Sequence, residues 1–168
     1  MSRIIIICAI AGILGVPAKA DETLKYRLVA HTAWVQSEPV AVPDVSNHLM
    51  GANRQIGIVF FQDGSVGTGV STSIFDARVG SEGTADGYTA ITFADGSELW
   101  LKNTGTFKFG PAGKLALKGA STVIGGKGRY AGAKGDASWD GEQTQASATA
   151  TQPGEAIAYV DAVVNIKK

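Results

Sequence analysis

Ile91-Thr92-Phe93-Ala94-Asp95-Gly96-Ser97-Glu98-Leu99-Trp100-Leu101-Lys102 is the stretch on which the fold of this chain turns. Ile91 and Phe93 alternate with Thr92, and beyond the turn Leu99 and Leu101 alternate with Glu98, Trp100 and Lys102. A period of two sends successive side chains to opposite faces, which is the pattern of a strand with one buried face. Asp95-Gly96 between the two runs can take the positive φ angles of a tight hairpin turn. Phe61-Gln62-Asp63-Gly64-Ser65 uses the same chemistry a second time.

Outward from this hairpin the rhythm continues. Phe107 and Phe109 oppose Thr106 and Lys108, Leu115 and Leu117 oppose Lys114, Ala116 and Lys118, and Val160, Ala162, Val164 and Ile166 oppose Asp161 and Asn165. Leu28 with Trp34, and Ala137 with Trp139, complete the apolar set. The reading gives strands over 24–36, 55–62, 66–76, 88–94, 97–103, 106–109, 114–123, 135–149 and 156–166, with turns at Gly110-Pro111-Ala112-Gly113 and Gln152-Pro153-Gly154-Glu155. No i, i+3, i+4, i+7 apolar stripe runs over eleven residues, so no long helix is expected. The fold class is all-β, a single closed antiparallel β-barrel of about eight strands, since closure buries one face and removes the sheet edges. Residues 38–54, broken by Pro39, Pro43, Asp44, Asn47 and Gly51, read as a long loop.

One strand departs from the alternation. Ile56, Ile58 and Phe60 lie on one face, while Val59 and Phe61 lie on the other. A strand apolar on both faces needs cover on both. The 38–54 loop and a second subunit are the two candidates, so a homo-oligomer formed through 56–61 is one expectation. Trp100, outward by parity, suits such a contact.

The N-terminus reads as an export signal. Arg3 precedes a continuous apolar run from Ile4 to Val16, and Ala18-Lys19-Ala20 has the small-x-small form of a cleavage site. The run is shorter than the ~20 residues that span a bilayer as a helix. Residues 1–20 are thus a signal peptide and 21–168 a barrel domain, secreted or periplasmic, with no membrane span after cleavage. Cys8, the only cysteine, leaves with the signal, so disulfide and thiolate chemistry leave with it. Loss of Arg3 and Lys19 takes the 15 basic residues to 13 against 15 acidic ones, a net charge near −2. That balance offers no footprint for nucleic acid.

Chemical motifs are sparse. His31 and His48 have no metal-ligand spacing, so no metal is expected. No G-x-S-x-G elbow is present. Asp136, Asp140 and Glu142 could supply a general acid or base, but Asp140 and Glu142 have the parity opposite to Trp139 and read as solvated. Gly126 to Ala131 matches G-x-G-x-x-A formally, yet a strand pattern follows where a dinucleotide site needs a helix, so no cofactor is expected. Candidate ligand-binding residues are the barrel-lining Trp34, Phe93, Leu99, Leu101, Phe107, Phe109 and Trp139. The same side chains could instead fill the barrel.

Gly125-Gly126-Lys127-Gly128-Arg129-Tyr130-Ala131-Gly132-Ala133-Lys134-Gly135 resembles the Gly-Gly-x-Gly-x-aromatic-x-Gly-x-x-Gly stretch of the allene oxide cyclase and dirigent barrel families. Gly125, Gly126, Gly128, Tyr130, Gly132 and Gly135 occupy the matching places, and the likeness extends over about 104–140 through Phe107-Lys108-Phe109 and Lys114 to Ala120. The resemblance implies a calycin-like eight-stranded barrel, often trimeric, with an apolar cavity. Some members cyclise a lipid epoxide and dirigent members steer radical coupling. The cyclase's Glu-x-Asn pair and barrel-wall cysteine have no counterparts, since the first strand reads Lys25-Tyr26-Arg27-Leu28-Val29-Ala30-His31. The glycines would allow a tight crossover, and Tyr130 would plug the barrel end. The expected function is an exported barrel that binds a small hydrophobic molecule or acts as an interaction module without catalysis. The alternative is a cyclase or isomerase guiding an apolar substrate.

Overall fold

A computed structural model describes residues 21–34, 40–78, 80–110, 114–144 and 156–167. Both expected turns at 110–113 and 152–155 fall wholly or partly outside these residues, as does the signal segment 1–20. The described strands are β1 (Glu22–Trp34), β2 (Val40–Ala41), β3 (His48–Phe61), β4 (Val66–Arg78), β5 (Glu82–Phe93), β6 (Glu98–Phe109), β7 (Lys114–Lys127), β8 (Lys134–Thr144) and β9 (Ala156–Lys167). Strands β3 to β9 form an antiparallel meander. β1 pairs with β9 on one side and with β3 on the other, which closes eight strands into a tube, with β2 appended to β3.

Two expectations on local structure are corrected. Residues 97–103 and 106–109 belong to the single strand β6, because Thr104-Gly105 continues the ladder opposite Gly119-Ala120 instead of breaking it. The 38–54 segment is not one long loop. β2 pairs with the start of β3, Val40 opposite Met50 and Ala41 opposite Leu49, and the turn between them is reached through Asn47 at φ 63°. This hairpin extends the sheet and leaves Ile56, Ile58 and Phe60 uncovered, each about half exposed at 50, 48 and 47%.

The sequence parity holds through most of the barrel and shifts once. Trp100 pairs with Gly125 and Leu101 with Val123, so Ile124 is an extra residue in β7. The bulge lets Val123 and Gly126 both face inward and bends the chain toward the barrel end. There a short 3-10 turn, Gly128–Tyr130, carries Tyr130 into the tube, where it is fully buried. Its ring packs 4.8 Å from that of Phe93, and Phe93 stacks on Phe61 at 4.9 Å. The Arg129 guanidinium lies over both rings, 4.6 Å from Phe93 and 5.0 Å from Tyr130. Above this plug sit Leu28, Val59, Ile91, Leu99, Leu101, Val123, Val164 and Ile166, all at 5% exposure or less. One half of the barrel is therefore a packed core.

Closing eight strands into a small tube forces neighbouring backbones together where the strands coil most strongly. Gly57 on β3 marks such a place: a Cβ there would come within 2.1 Å of the Val29 carbonyl oxygen and 2.5 Å of the Ala30 Cα. Gly57→Ala should lower unfolding stability by about 3 kcal/mol, because backbone of the closing strand must move. Gly96→Ala, at φ 78° but with open space around it, should cost only about 1 kcal/mol of backbone strain. Urea unfolding of the two variants checks the difference, and equal losses would contradict the close contact at Gly57.

Candidate functional site

The other half of the tube is lined differently. Inward positions on β3 to β7 carry Asn53, Gln55, Ser71, Ser73, Thr89, Asn103 and Ser121: Asn53 pairs with Ser73, Gln55 with Ser71, Ser71 with Thr89 and Asn103 with Ser121, while Thr89 and Asn103 are diagonal neighbours. Facing them are Trp139 on β8 and Ala158, Val160 and Ala162 on β9, with Phe75, Phe107, Phe109, Leu115 and Leu117 toward the end where β6 meets β7. One wall is polar and the other apolar. No Asp, Glu, Lys, Arg or His occupies an inward position of this half among the described residues.

Exposure differs between the two halves, although Phe75, Ser121 and Ala158 of the second are buried. Asn53, Gln55, Ser71, Ser73, Thr89, Asn103, Phe107, Phe109, Leu115, Leu117, Trp139 and Gln143 all point inward yet remain partly exposed. Among the described residues every fully buried side-chain nitrogen or oxygen has a hydrogen-bond partner. The Ser71 hydroxyl makes no such bond, so it must open onto accessible space inside the tube. The barrel is a cup, closed at the Tyr130 end, with inward side chains that keep accessible surface at the other.

Hydrogen bonds organise the polar wall. The Trp139 indole Nε1–H donates to Ser121 Oγ at 3.1 Å, the Ser121 hydroxyl donates to Asn103 Oδ1 at 2.7 Å, and Asn103 Nδ2 donates to Thr89 Oγ1 at 2.7 Å. Ser73 Oγ donates to Asn53 Oδ1 at 2.8 Å. Gln55 Nε2 reaches Gln143 Oε1 at 3.3 Å. β9 and β1 lie between those two glutamines, and the small inward residues Ala158 and Ala30 leave room for the bridge. The Trp139 ring itself lies against Gly105 and Gly119, where an added Cβ would fall 2.4 and 2.2 Å from ring atoms. On the outer surface of β5 to β7 a groove of about 590 Å³ runs between Thr84, Asp86, Thr106 and Lys118, with that glycine pair in its floor. It is wide open to solvent, and the Trp139 ring shows through its glycine floor.

A charged clamp holds the rim. His48 is buried at the start of β3, its Nδ1 2.6 Å from Asp44 Oδ1 in the β2–β3 turn and its Nε2 2.8 Å from Asp76 Oδ1 on β4. A neutral imidazole has one N–H and can serve one of these carboxylates. Satisfying both requires the imidazolium. Accordingly the two hydrogen bonds, Asp44 first and then Asp76, raise the His48 pKa above its ordinary value, and the bond to His48 lowers that of Asp44. Arg78 stands 3.7 Å from Asp44 on the same rim.

The structure distributes the sequence-predicted lining over both halves. Phe93, Leu99 and Leu101 belong to the packed half, while Phe107, Phe109 and Trp139 face the hollow one. Trp34 ends β1 and its side chain lies outside the described residues. Gly125, Gly128, Gly132 and Gly135 take positive φ angles, and a Cβ on Gly126 would meet the Glu98 carbonyl oxygen at 2.2 Å. The motif thus shapes the crossover that carries Tyr130, whose hydroxyl donates to Glu22 Oε1 at 3.2 Å and whose pKa is pushed up to about 12, chiefly by burial. Asp136, Asp140 and Glu142 are exposed on the outer face of β8. The polar inward row was not singled out from the sequence, although Asn103 shares the parity of Leu101 and Ser121 that of Val123.

No protein-family model matches the chain, and no curated protein matches it in sequence. Among solved structures, the pterocarpan synthase dirigent protein GePTS1 is similar over 90% of this chain and 88% of its own, with 15% identity and a TM-score of 0.45. The pterocarpan synthase dirigent protein PsPTS1 is similar over 90% of this chain and 98% of its own, with 16% identity and a TM-score of 0.44.

The rim clamp carries a pH signature. A raised folded-state pKa means that the stabilisation from His48 is complete below the unfolded value of ~6.5 and fades as pH rises through the higher folded value. The urea midpoint of the protein should therefore fall as pH is raised from about 6 into the alkaline range. His48→Gln should remove most of that slope. A wild-type slope unchanged in the variant would show that the clamp does not titrate in this way.

Proposed function

We propose that this protein binds a small, neutral, largely apolar molecule in the hollow half of its barrel, without transforming it, after export to the periplasm or beyond with removal of residues 1–20. The observation that carries the reading is the partition of the interior. At the Tyr130 end Leu28, Val59, Ile91, Leu99, Leu101, Val123 and Tyr130 are packed to exclusion of water, whereas at the other end most inward side chains, Phe75, Ser121 and Ala158 apart, are partly exposed around an unpartnered Ser71 hydroxyl. A concave, mostly apolar lining with a few placed polar groups is the ordinary form of a small-molecule site. The absence of ionisable side chains from the described lining of this half favours a neutral ligand, since a buried charge would go uncompensated. It also favours binding over an acid–base isomerisation, which would need a positioned proton donor or acceptor.

We also propose that copies of the chain meet through the outer face of β3 and β4. Ile56, Ile58, Phe60, Val66 and Ile74 are all exposed there, while the outer face of β7 and β8 presents Lys114, Lys118, Asp136, Asp140 and Glu142. A barrel embedded in lipid carries its apolar band round every strand. Here Ile157, Tyr159 and Val163 on β9 and Trp100 on β6 are exposed as well, but the charged outer face of β7 and β8 interrupts the band, and the apolar face densest on β3 and β4 suits a protein contact.

Two measurements test these readings. Nile red, a neutral apolar dye, should bind once per barrel with a blue-shifted emission, and Leu117→Trp, which fills the lumen, should weaken it at least about tenfold without changing the fold. Binding that is undiminished in Leu117→Trp would place the dye elsewhere and overturn the lumen reading. In light scattering after size exclusion, the wild type should run as an oligomer and Ile58→Lys as a monomer. A wild-type monomer at every concentration would remove the proposed contact.

A further inference from the structure

The chain of hydrogen bonds on the polar wall has a direction, and its far end is open. An indole N–H can only donate. Trp139 Nε1 donates to Ser121 Oγ, and the Ser121 hydroxyl donates its hydrogen onward to Asn103, 2.7 Å away. The atom of Asn103 that receives it must be the amide oxygen. Asn103 Nδ2 in turn donates to Thr89 Oγ1 at 2.7 Å. Thr89, having accepted, has its own hydroxyl hydrogen left to give, and among the described residues nothing receives it. Hydrogen bonds that run head to tail polarise one another, which makes the last donor the strongest.

Thr89 is directly paired with Ser71 across β4 and β5. Both side chains point into the hollow half, both are partly exposed, and the Ser71 hydroxyl has no partner among the described residues. Side chains at paired positions stand with Cβ atoms about 5 Å apart, a spacing at which two hydroxyls can converge on one oxygen. Leu101 pairs with Thr89 on its other side, and Phe107 and Leu117 line the lumen toward the mouth.

We propose that Thr89 and Ser71 form a subsite that donates two hydrogen bonds to one uncharged acceptor oxygen, such as the carbonyl of a lipophilic ketone, ester or lactone. This rests on the lumen reading above and adds the functional group to it. A carbonyl oxygen has two lone pairs to match the two donors. A carboxylate would lose more hydration than two hydroxyls return, with no cation in the described lining to compensate. A pure hydrocarbon would cover the two hydroxyls and leave them without partners, which costs affinity.

The test compares 2-acetylnaphthalene with 2-isopropenylnaphthalene, in which a methylene group replaces the carbonyl oxygen at nearly constant shape. The ketone should bind the wild type roughly three- to tenfold more tightly. Its carbonyl stretch should move to lower wavenumber on binding. Thr89→Val and Ser71→Ala should each reduce the preference for the ketone and move the carbonyl band back, with the hydrocarbon binding at least as tightly as to the wild type, because the uncovered hydroxyl is gone. Trp139→Phe, which removes the donor that sets the chain's direction, should weaken the preference without touching the ligand oxygen. Equal binding of ketone and hydrocarbon, with an unshifted carbonyl band, would overturn the subsite while leaving lumen binding in place. Failure of both compounds to bind would overturn the lumen reading and the subsite with it.

Discussion

The pairing of β1 with β3 converts a meander into a tube. Without it, β1 and β3 would each carry an open ladder edge of an unclosed sheet, and the inward faces of Leu28, Val59, Ile91 and Val164 would have no common interior. The pairing runs from Tyr26 opposite Phe61 to Trp34 opposite Asn53, and it passes the tight contact between Gly57 and the β1 backbone. Antiparallel ladders tolerate such closeness only where one partner has no side chain. Closure also explains how stability can be had without disulfides: the apolar lining is shielded on all sides and no ladder edge is left open along the main strands.

The interior that closure creates is divided by the same strands that form it. On β5, Ile91 and Phe93 lie in the plug, while Thr89 and Gly87 lie beyond it. On β6 the change falls between Leu101 and Asn103, and on β7 between Val123 and Ser121. On β6 and β7 the switch from apolar to polar is in register, Leu101 with Val123 and Asn103 with Ser121, while on β5 it falls one inward position earlier, since Thr89 pairs with Leu101. The aromatic plug of Phe61, Phe93 and Tyr130 holds one half rigid. The other half keeps its polar groups satisfied largely by one another, which is how buried polar groups avoid a desolvation penalty in a partly apolar space.

The strand alternation, the Asp-Gly turns and the closed barrel were legible in the sequence because each depends on local rules: parity, turn chemistry and the need to bury one face. The inward place of Trp139 and the outward places of Trp100, Asp140 and Glu142 followed from parity alone. What was not legible depends on register. The β7 bulge at Ile124, the continuity of β6 through Gly105 and the β2–β3 hairpin are set by which strand lies opposite. The polar row escaped notice because Asn103, Ser121 and Thr89 look like solvent-facing residues until their partners are known. The same is true of His48, whose two carboxylates come from a turn and from another strand.

The central claim is that one half of the tube is packed and the other holds accessible space, and site-specific thiol labelling tests it most directly. In a Cys8→Ser background, Ser71→Cys and Ile91→Cys place single thiols on inward positions of the two halves. A small neutral maleimide should modify the thiol at position 71 in the native protein at a rate near that of a free thiol, and the thiol at position 91 only at the rate of global unfolding. Equal protection of both positions in the folded protein would show a filled barrel and contradict the account.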